Sequence, residues 1–214
     1  MTVEVGEVYR SVRERLTELL LEETSRRPET WDLPVAACPA WRVRDVVAHL
    51  VGNLEDGRAG RLAGPPGSEQ TRDQVDRHRD DDPVELLTVW SLLAEVAEPR
   101  FTAAGAWPAA IDALSHEHDV RHALGAPGAR DTDDVRVVAD VLRPGPDAPY
   151  AVVLYGLQPR ADRPTLVTDP FTWLRIRMGR RTHEEVLGMT WVGDPVPVLP
   201  ALFVFGPAEL PLGE

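Results

Sequence analysis

The sequence predicts an α+β protein, with a helical bundle in residues 1–130 and a small mixed α/β domain in residues 131–214. Two observations lead to this division. Apolar residues recur at helical spacing through most of the first part, whereas short runs of β-branched and aromatic residues between turn residues appear only after residue 130. A chain of 214 residues can build one large core or two small ones, so two unequal domains fit its length.

Two helices are predicted in the first part of the chain. Residues 7–24 place valine and leucine side chains on one face at helical spacing, with charged residues opposite. The second helix, from about residue 43 to 61, carries Asp45 in its first turn, where a carboxylate suits the positive helix end. His49 lies in the middle of its apolar stripe. The linking residues 26–41 contain three prolines and no period, which predicts a loop.

Two further helices complete the predicted bundle. Residues 63–83 are rich in proline, glycine and alternating charge, so they should form a mobile or loosely helical surface segment without a catalytic residue. A third helix begins after the N-cap residue Asp82, and Pro99 should kink or end it. The fourth covers about residues 108–124 and ends at Gly125, a typical C-cap. Four amphipathic helices joined by loops are typical of a bundle.

The last third of the chain has a different pattern. A short helix is predicted at residues 131–143, and the boundary between the two domains lies near residues 128–147. Four short runs then show the composition of strands, and FTWLRIRMGRR between them shows that of a helix. The predicted strands lie in PYAVVLYGL, PTLVTDP, MTWVGD and ALFVFG.

Composition and charge exclude several classes of function. The formal net charge is −12, and no cluster of basic residues forms a groove for a nucleic-acid backbone. The sequence contains no run of ~18 apolar residues, the length that a helix needs to span a bilayer. The N-terminus has acids and arginines where a signal peptide needs an apolar run. The only cysteine, Cys38, cannot form an intramolecular disulfide, which agrees with a reducing compartment. The sequence therefore predicts a cytoplasmic protein that binds neither nucleic acid nor membrane.

Three side chains on two predicted helices form a candidate metal site. Asp112 and His116 are four residues apart, so they project from the same face of the fourth helix. His49 lies on the face of the second helix that must look into the bundle, where bundles build metal sites. Two imidazoles and one carboxylate suit zinc or another divalent transition ion and leave a position open for water or substrate. The alternatives are a hydrogen-bonded core histidine at position 49 and an exposed Asp112–His116 pair.

Two residues near these positions have open or structural roles. Asp119 lies on the fourth helix after His116, where a carboxylate could hold a ligand imidazole in the correct tautomer. It could equally pair with Arg121 or Arg42 on the surface. Cys38 is assigned a structural role, because a small buried residue suits the entry to the second helix.

The remaining candidates are placed away from the metal. Asp45 stands four residues before His49, but its position in the first helical turn favours capping. His118 and His122 form a second pair on the fourth helix, rotated away from the Asp112 face, so they should point toward solvent or the C-terminal domain. Charged, irregular surroundings give no functional signal for His78 and His183.

Two stretches of the sequence resemble a known family. Residues 37–52, ACPAWRVRDVVAHLVG, and 112–128, DALSHEHDVRHALGAPG, are similar to the two signature stretches of the mycothiol-dependent maleylpyruvate isomerase family, within the DinB-like helical bundle superfamily. The resemblance implies a DinB-like four-helix bundle whose metal ligands are His49, Asp112 and His116. The characterised isomerase of the family has glutamate where Asp112 stands, so the metal would lie closer to the fourth helix or have another geometry.

The resemblance extends to the C-terminal domain. The stretch TDPFTWLRIRMGRR, followed by WVGD, is similar to Gly-Arg and Gly-Asp elements of the family's small second domain, which is related to sterol-carrier-like folds. It implies that Arg180 binds the thiol cofactor or an anionic substrate, because a guanidinium binds a carboxylate through two hydrogen bonds. A surface arginine at a helix end is the alternative.

The function implied by this resemblance is that of a metal-dependent transferase or isomerase with mycothiol as its thiol cofactor. Zinc at His49, Asp112 and His116 would bind the mycothiol sulfur as thiolate, which would attack a small electrophilic metabolite. The expected partners are a small-molecule substrate and a low-molecular-weight thiol, bound by a monomer or homodimer. Two alternatives are a non-catalytic metal- or small-ligand-binding regulatory module and a carrier of a lipid-like ligand in the C-terminal domain.

Overall fold

A computed structural model describes residues 3–156 and 162–214, and the chain falls into two units, Met1–Pro127 and Gly128–Glu214. The first unit is helical, and the described part of the second adds a small sheet, so the fold class is α+β as predicted. No helix within the described residues is long and apolar enough to cross a membrane.

The first unit is organised around four long helices and one shorter helix. Its α-helices within the described residues are α1 (Val5–Arg26), α2 (Val43–Arg58), α3 (Ser68–Arg77), α4 (Pro83–Ala104) and α5 (Trp107–Leu124). Both α1 and α2 pack against α4 and α5, and α3 packs against α2. The four long helices therefore form a bundle, with Val12, Leu16, Leu50 and Trp90 fully or almost fully buried in its core.

Local sequence explains where these helices begin and end. The backbone N–H of Arg42 donates to the carboxylate of Asp45 at 2.8 Å, which confirms the capping role predicted for Asp45. The Asp82 side chain accepts hydrogen bonds from two backbone N–H groups in the first turn of α4. Gly125 ends α5 with a φ of 62°, in the left-handed region that glycine adopts without steric cost.

The structure differs from the prediction made from the sequence at two places in this unit. Residues 68–77, within the predicted loose surface segment 63–83, form the regular helix α3, and its buried residue is the polar Gln74. Pro99 does not end α4, which continues to Ala104. Both Pro99 and Glu95, the residue whose carbonyl loses its helical N–H partner, are exposed residues, and a proline is better tolerated there than in a buried part of a helix.

The second unit combines three short helices with a three-stranded sheet. Its α-helices within the described residues are α6 (Asp133–Val141), α7 (Pro170–Arg177) and α8 (His183–Leu187), and its strands are β1 (Ala151–Val153), β2 (Thr165–Val167) and β3 (Thr190–Val192). The strand order is β1-β2-β3, with β1 parallel to β2 and β3 antiparallel to it. Leu166 pairs with Val152 on one side and Trp191 on the other. Leu166, Trp173 and Leu202 lie in the core beside this sheet.

Three of the four predicted strands of this unit are confirmed, and the fourth prediction is wrong. Strands form within PYAVVLYGL, PTLVTDP and MTWVGD, although Leu157 of the first run lies outside the described residues. The run ALFVFG forms no strand: a 3-10 helix covers Val196–Ala201, and the backbone N–H of Val204 donates to the carbonyl of Arg177 at 2.8 Å. Leu202 and Phe203 are buried, so core packing explains the apolar character of these two residues, whereas Val204 and Phe205 are exposed.

Candidate metal centre

The three predicted ligands come together in the first unit, with His49 on α2 and the other two on α5. His49 Nε2 lies 3.4 Å from Asp112 Oδ2, and His116 Nε2 lies 3.6 Å from Asp112 Oδ1. One ligand atom from each of the three residues lies within 4.8 Å of the other two. Two ligands of a tetrahedral zinc ion are roughly 3.4 Å apart, so the donor set and its spacing fit one ion.

Helix geometry and burial shape this cluster. The spacing of four residues brings Asp112 and His116 onto one side of α5, and α2 packs against α5 with His49. The His49 side chain is 3% exposed and that of His116 is 7% exposed, whereas that of Asp112 is 32% exposed. The nitrogen donors therefore lie in the bundle and the carboxylate at its edge, where it is partly exposed to solvent.

Asp119 supports the second histidine. Its Oδ2 lies 3.0 Å from His116 Nδ1, which matches the first of the two roles considered for Asp119. The surface arginines that were its alternative partners pair elsewhere, Arg121 with Glu117 and Arg42 with Asp32. A carboxylate at Nδ1 leaves Nε2 of His116 directed at Asp112.

Cys38, for which the sequence predicts a structural role, lies close to Asp119 and His116 of the candidate metal centre. Its Sγ is 4.0 Å from Asp119 Oδ2. Ligand atoms of Cys38, His116 and Asp119 also lie within 4.8 Å of one another, so they form a second group able to hold a metal ion. The two groups share His116.

Three residues that sequence reasoning missed contact the cluster. His49 Nδ1 lies 2.8 Å from Gln74 Oε1, and Asn53 Nδ2 lies 3.1 Å from His49 Nε2 and 3.0 Å from Asp112 Oδ2. The Trp41 ring lies with its centroid 5.0 Å from that of His49 and 5.8 Å from that of His116. Asn53 follows His49 by four residues, a signal that could have found it, whereas no local pattern indicates Gln74.

A buried tyrosine lies near the same carboxylate. Burial raises the pKa of the Tyr9 phenol well above its ordinary value, and the negative charge of Asp112 raises it further, although the hydrogen bond from Trp90 opposes both. Trp90 Nε1 donates to Tyr9 Oη at 2.9 Å. Tyr9 therefore remains a protonated phenol near neutral pH.

The other predicted residues lie as follows. His118 does not face solvent: it is 3% exposed, because α5 is buried on both faces through residues 113–120. His122 is half-buried. Arg180 lies in the second unit, after the end of α7, where its Nη1 donates to the carbonyl of Met178.

Comparison with known protein families gives a match that includes the candidate site. A family model described as the mycothiol maleylpyruvate isomerase N-terminal domain matches residues 9–155, which include His49, Asp112 and His116. No curated protein and no solved structure matches the chain. Because the matched span is more than half of the 214 residues, the chain belongs to the family of the mycothiol maleylpyruvate isomerase N-terminal domain.

Proposed function

We propose that this protein is a metal-dependent transferase or isomerase that uses mycothiol to act on a small electrophilic metabolite. The observation that carries the proposal is the convergence of His49, Asp112 and His116, whose ligand atoms lie within 4.8 Å of one another. Membership of a family named for a mycothiol-linked isomerase supports the choice of thiol. Zinc suits this donor set, and when bound it would hold a thiol sulfur as thiolate, a nucleophile at neutral pH.

Three residues of the chain would bind the metal, and a fourth would bind an anionic group. His49 and His116 would supply Nε2 donors from the buried side, and Asp112 a carboxylate at the open side. Arg180 would bind an anionic group of the thiol or the substrate, since a guanidinium suits a carboxylate. We also propose that the second unit has a sterol-carrier-like fold.

Elemental analysis and zinc titration of the full-length protein test the metal site. Wild-type protein should bind about one equivalent of zinc, and a His49→Ala, His116→Ala double variant should bind none. His183→Ala is the matched control, because His183 is exposed and lies in the second unit. It should bind zinc as the wild type does.

Cobalt substitution tests the thiol. Mycothiol added to the cobalt-loaded protein should produce a sulfur-to-cobalt charge-transfer band if its sulfur becomes a ligand. Absence of metal from folded wild-type protein would overturn the proposal. Zinc binding without a charge-transfer band would favour the non-catalytic binding module instead.

A further inference from the structure

A buried chain of side chains connects His49 to the carboxylate of Asp56, which lies about two turns further along α2 on the same face. Asp56 Oδ2 lies 2.8 Å from Gln74 Nε2, and Gln74 Oε1 lies 2.8 Å from His49 Nδ1. Gln74 is fully buried, and Asp56 and His49 are each 3% exposed. A buried donor or acceptor without a partner costs free energy. Each contact in this chain of side chains must therefore join a donor to an acceptor, which fixes the direction of the hydrogen bonds.

The direction is set at Asp56. Its carboxylate accepts hydrogen bonds from Arg61 at 2.6 Å, from both Arg77 nitrogens at 2.9 Å and from Gln70 at 3.1 Å. Burial alone would raise the pKa of Asp56, but these donors together with Gln74 outweigh it and lower the pKa below its ordinary value. An ionised carboxylate only accepts hydrogen bonds, so the Gln74 atom that faces Asp56 must be the amide nitrogen.

The orientation of Gln74 then assigns the proton on His49. With its nitrogen toward Asp56, Gln74 presents its oxygen to His49 Nδ1, which must therefore carry the hydrogen. In a neutral imidazole the other nitrogen then carries a lone pair and acts as an acceptor. This nitrogen, Nε2, is the one that lies 3.4 Å from Asp112.

The amide of Asn53, which Gln74 orients in turn, agrees with this assignment. Gln74 Nε2 also lies 3.0 Å from Asn53 Oδ1, so the Asn53 nitrogen is turned toward His49 Nε2, at 3.1 Å. An amide nitrogen donates, so His49 Nε2 must accept, as a nitrogen with a lone pair does.

We propose that Gln74, held by Asp56, is a positioning residue that fixes His49 in the Nδ1–H tautomer with its Nε2 lone pair aimed at the metal position. The metal position in this inference rests on the proposed function. Gly52 makes the arrangement possible, since a Cβ there would lie 2.6 Å from Gln74 Cβ and 2.7 Å from Gln74 Cγ. Because Gly52 has no side chain, α3 can approach α2 closely enough for the Gln74 amide to reach the buried His49 imidazole.

The experiment compares Gln74→Met with Gln70→Met in the full-length protein. Gln70 is a matched control, because it lies one turn earlier on α3 and donates to the same Asp56 carboxylate but does not hydrogen-bond His49. Long-range nitrogen–proton NMR spectra of the metal-free protein report which ring nitrogen of His49 carries the proton, and calorimetric titration with zinc alone reports the affinity.

Wild-type protein and Gln70→Met should show His49 protonated at Nδ1, and Gln74→Met should show a mixture of tautomers. Loss of an outer partner of a ligand histidine typically weakens metal binding about 10- to 100-fold, which is the loss expected for Gln74→Met, against less than about threefold for Gln70→Met. Equal losses in the two variants would overturn the inference, because they would show a general effect of α3.

The wild-type spectrum decides the inference even if Gln74→Met does not fold. A proton on His49 Nε2 in the metal-free wild type would overturn it. Wild-type protein that binds no zinc would overturn the proposed function, yet a Nδ1 proton that is present in wild type and lost in Gln74→Met would still support the positioning role of Gln74.

Discussion

Two clusters in the helical bundle place different groups around a carboxylate. Glu98 on α4 is 2% exposed and is held by the guanidinium groups of Arg10 and Arg13, at 2.6 and 3.2 Å. Asp112 on α5 faces the ring nitrogens of His49 and His116, at 3.4 and 3.6 Å. The first carboxylate is surrounded by fixed positive charge, whereas the second is surrounded by rings that can be neutral.

This difference separates a structural cluster from a functional one. A guanidinium keeps its proton at any physiological pH, so the charge of Glu98 is permanently balanced and only the bundle depends on it. A neutral imidazole brings a lone pair instead of a charge, so Asp112 and its histidines together suit a cation. We expect variants in the first cluster to change stability and variants in the second to change metal binding.

The largest expected effect is the loss of stability in Glu98→Ala. Arg13 is 9% exposed, and removing one partner of a buried ion pair typically costs about 3 to 5 kcal/mol of the free energy of unfolding. Urea denaturation measures this loss. Glu95→Ala, at an exposed glutamate on the same helix, should change the free energy by less than about 0.5 kcal/mol. Weaker zinc binding by folded Glu98→Ala would contradict the separation of the two clusters.

Asp112→Asn should have the opposite profile. An amide cannot supply the negative ligand, so zinc affinity should fall by more than the roughly 100-fold that marks the loss of an outer partner. The free energy of unfolding of the metal-free protein should change by no more than about 1 kcal/mol, because the side chain is only partly buried. Calorimetry and urea denaturation measure the two quantities. Wild-type affinity in this variant would remove Asp112 from the ligands and favour the group with Cys38.

A pair of glycine variants sharpens the comparison with a smaller effect. A Cβ at Gly6 would lie 2.3 Å from the Glu98 carbonyl oxygen, and one at Gly52 would lie 2.6 Å from Gln74 Cβ. Each Gly→Ala change should cost about 1 to 3 kcal/mol of the free energy of unfolding through overpacking. Only Gly52→Ala displaces Gln74, so only it should also weaken zinc binding. Equal zinc affinities in the two folded variants would count against the role of Gln74.

The smallest expected effect is on the pH dependence of stability. Burial tends to raise the pKa of Asp56, but hydrogen bonds from Arg77, Gln74 and Arg61 prevail and lower it. The ionised form therefore favours the folded state: its contribution is complete above the unfolded pKa of about 3.9 and is lost as pH falls below that value. Urea denaturation between about pH 4.5 and 2.5 should show a steeper loss in wild type than in Asp56→Asn, with the difference developing below about pH 4. Parallel curves would contradict this assignment.

Local spacing was sufficient for much of the candidate site. The interval between Asp112 and His116 is fixed by the helical period once α5 forms, and the apolar stripe of α2 placed His49 toward the bundle. Asp119 follows from the same period, because it is three residues beyond His116. The helices themselves were predictable since their caps and apolar stripes are local features.

Contacts between distant segments were not accessible from such patterns. Gln74 is 25 residues from His49 in the chain, and its burial depends on how closely α3 approaches α2 at Gly52. A hydrophobic period cannot reveal a buried polar residue, so the sequence predicts a surface position for the segment containing Gln74. Leu202 and Phe203 show the same limit from the other side, because apolar residues that fill a core resemble those of a strand. The helices and the ligand types follow from local chemistry, while the partners that orient the ligands depend on the packing of elements far apart in the chain.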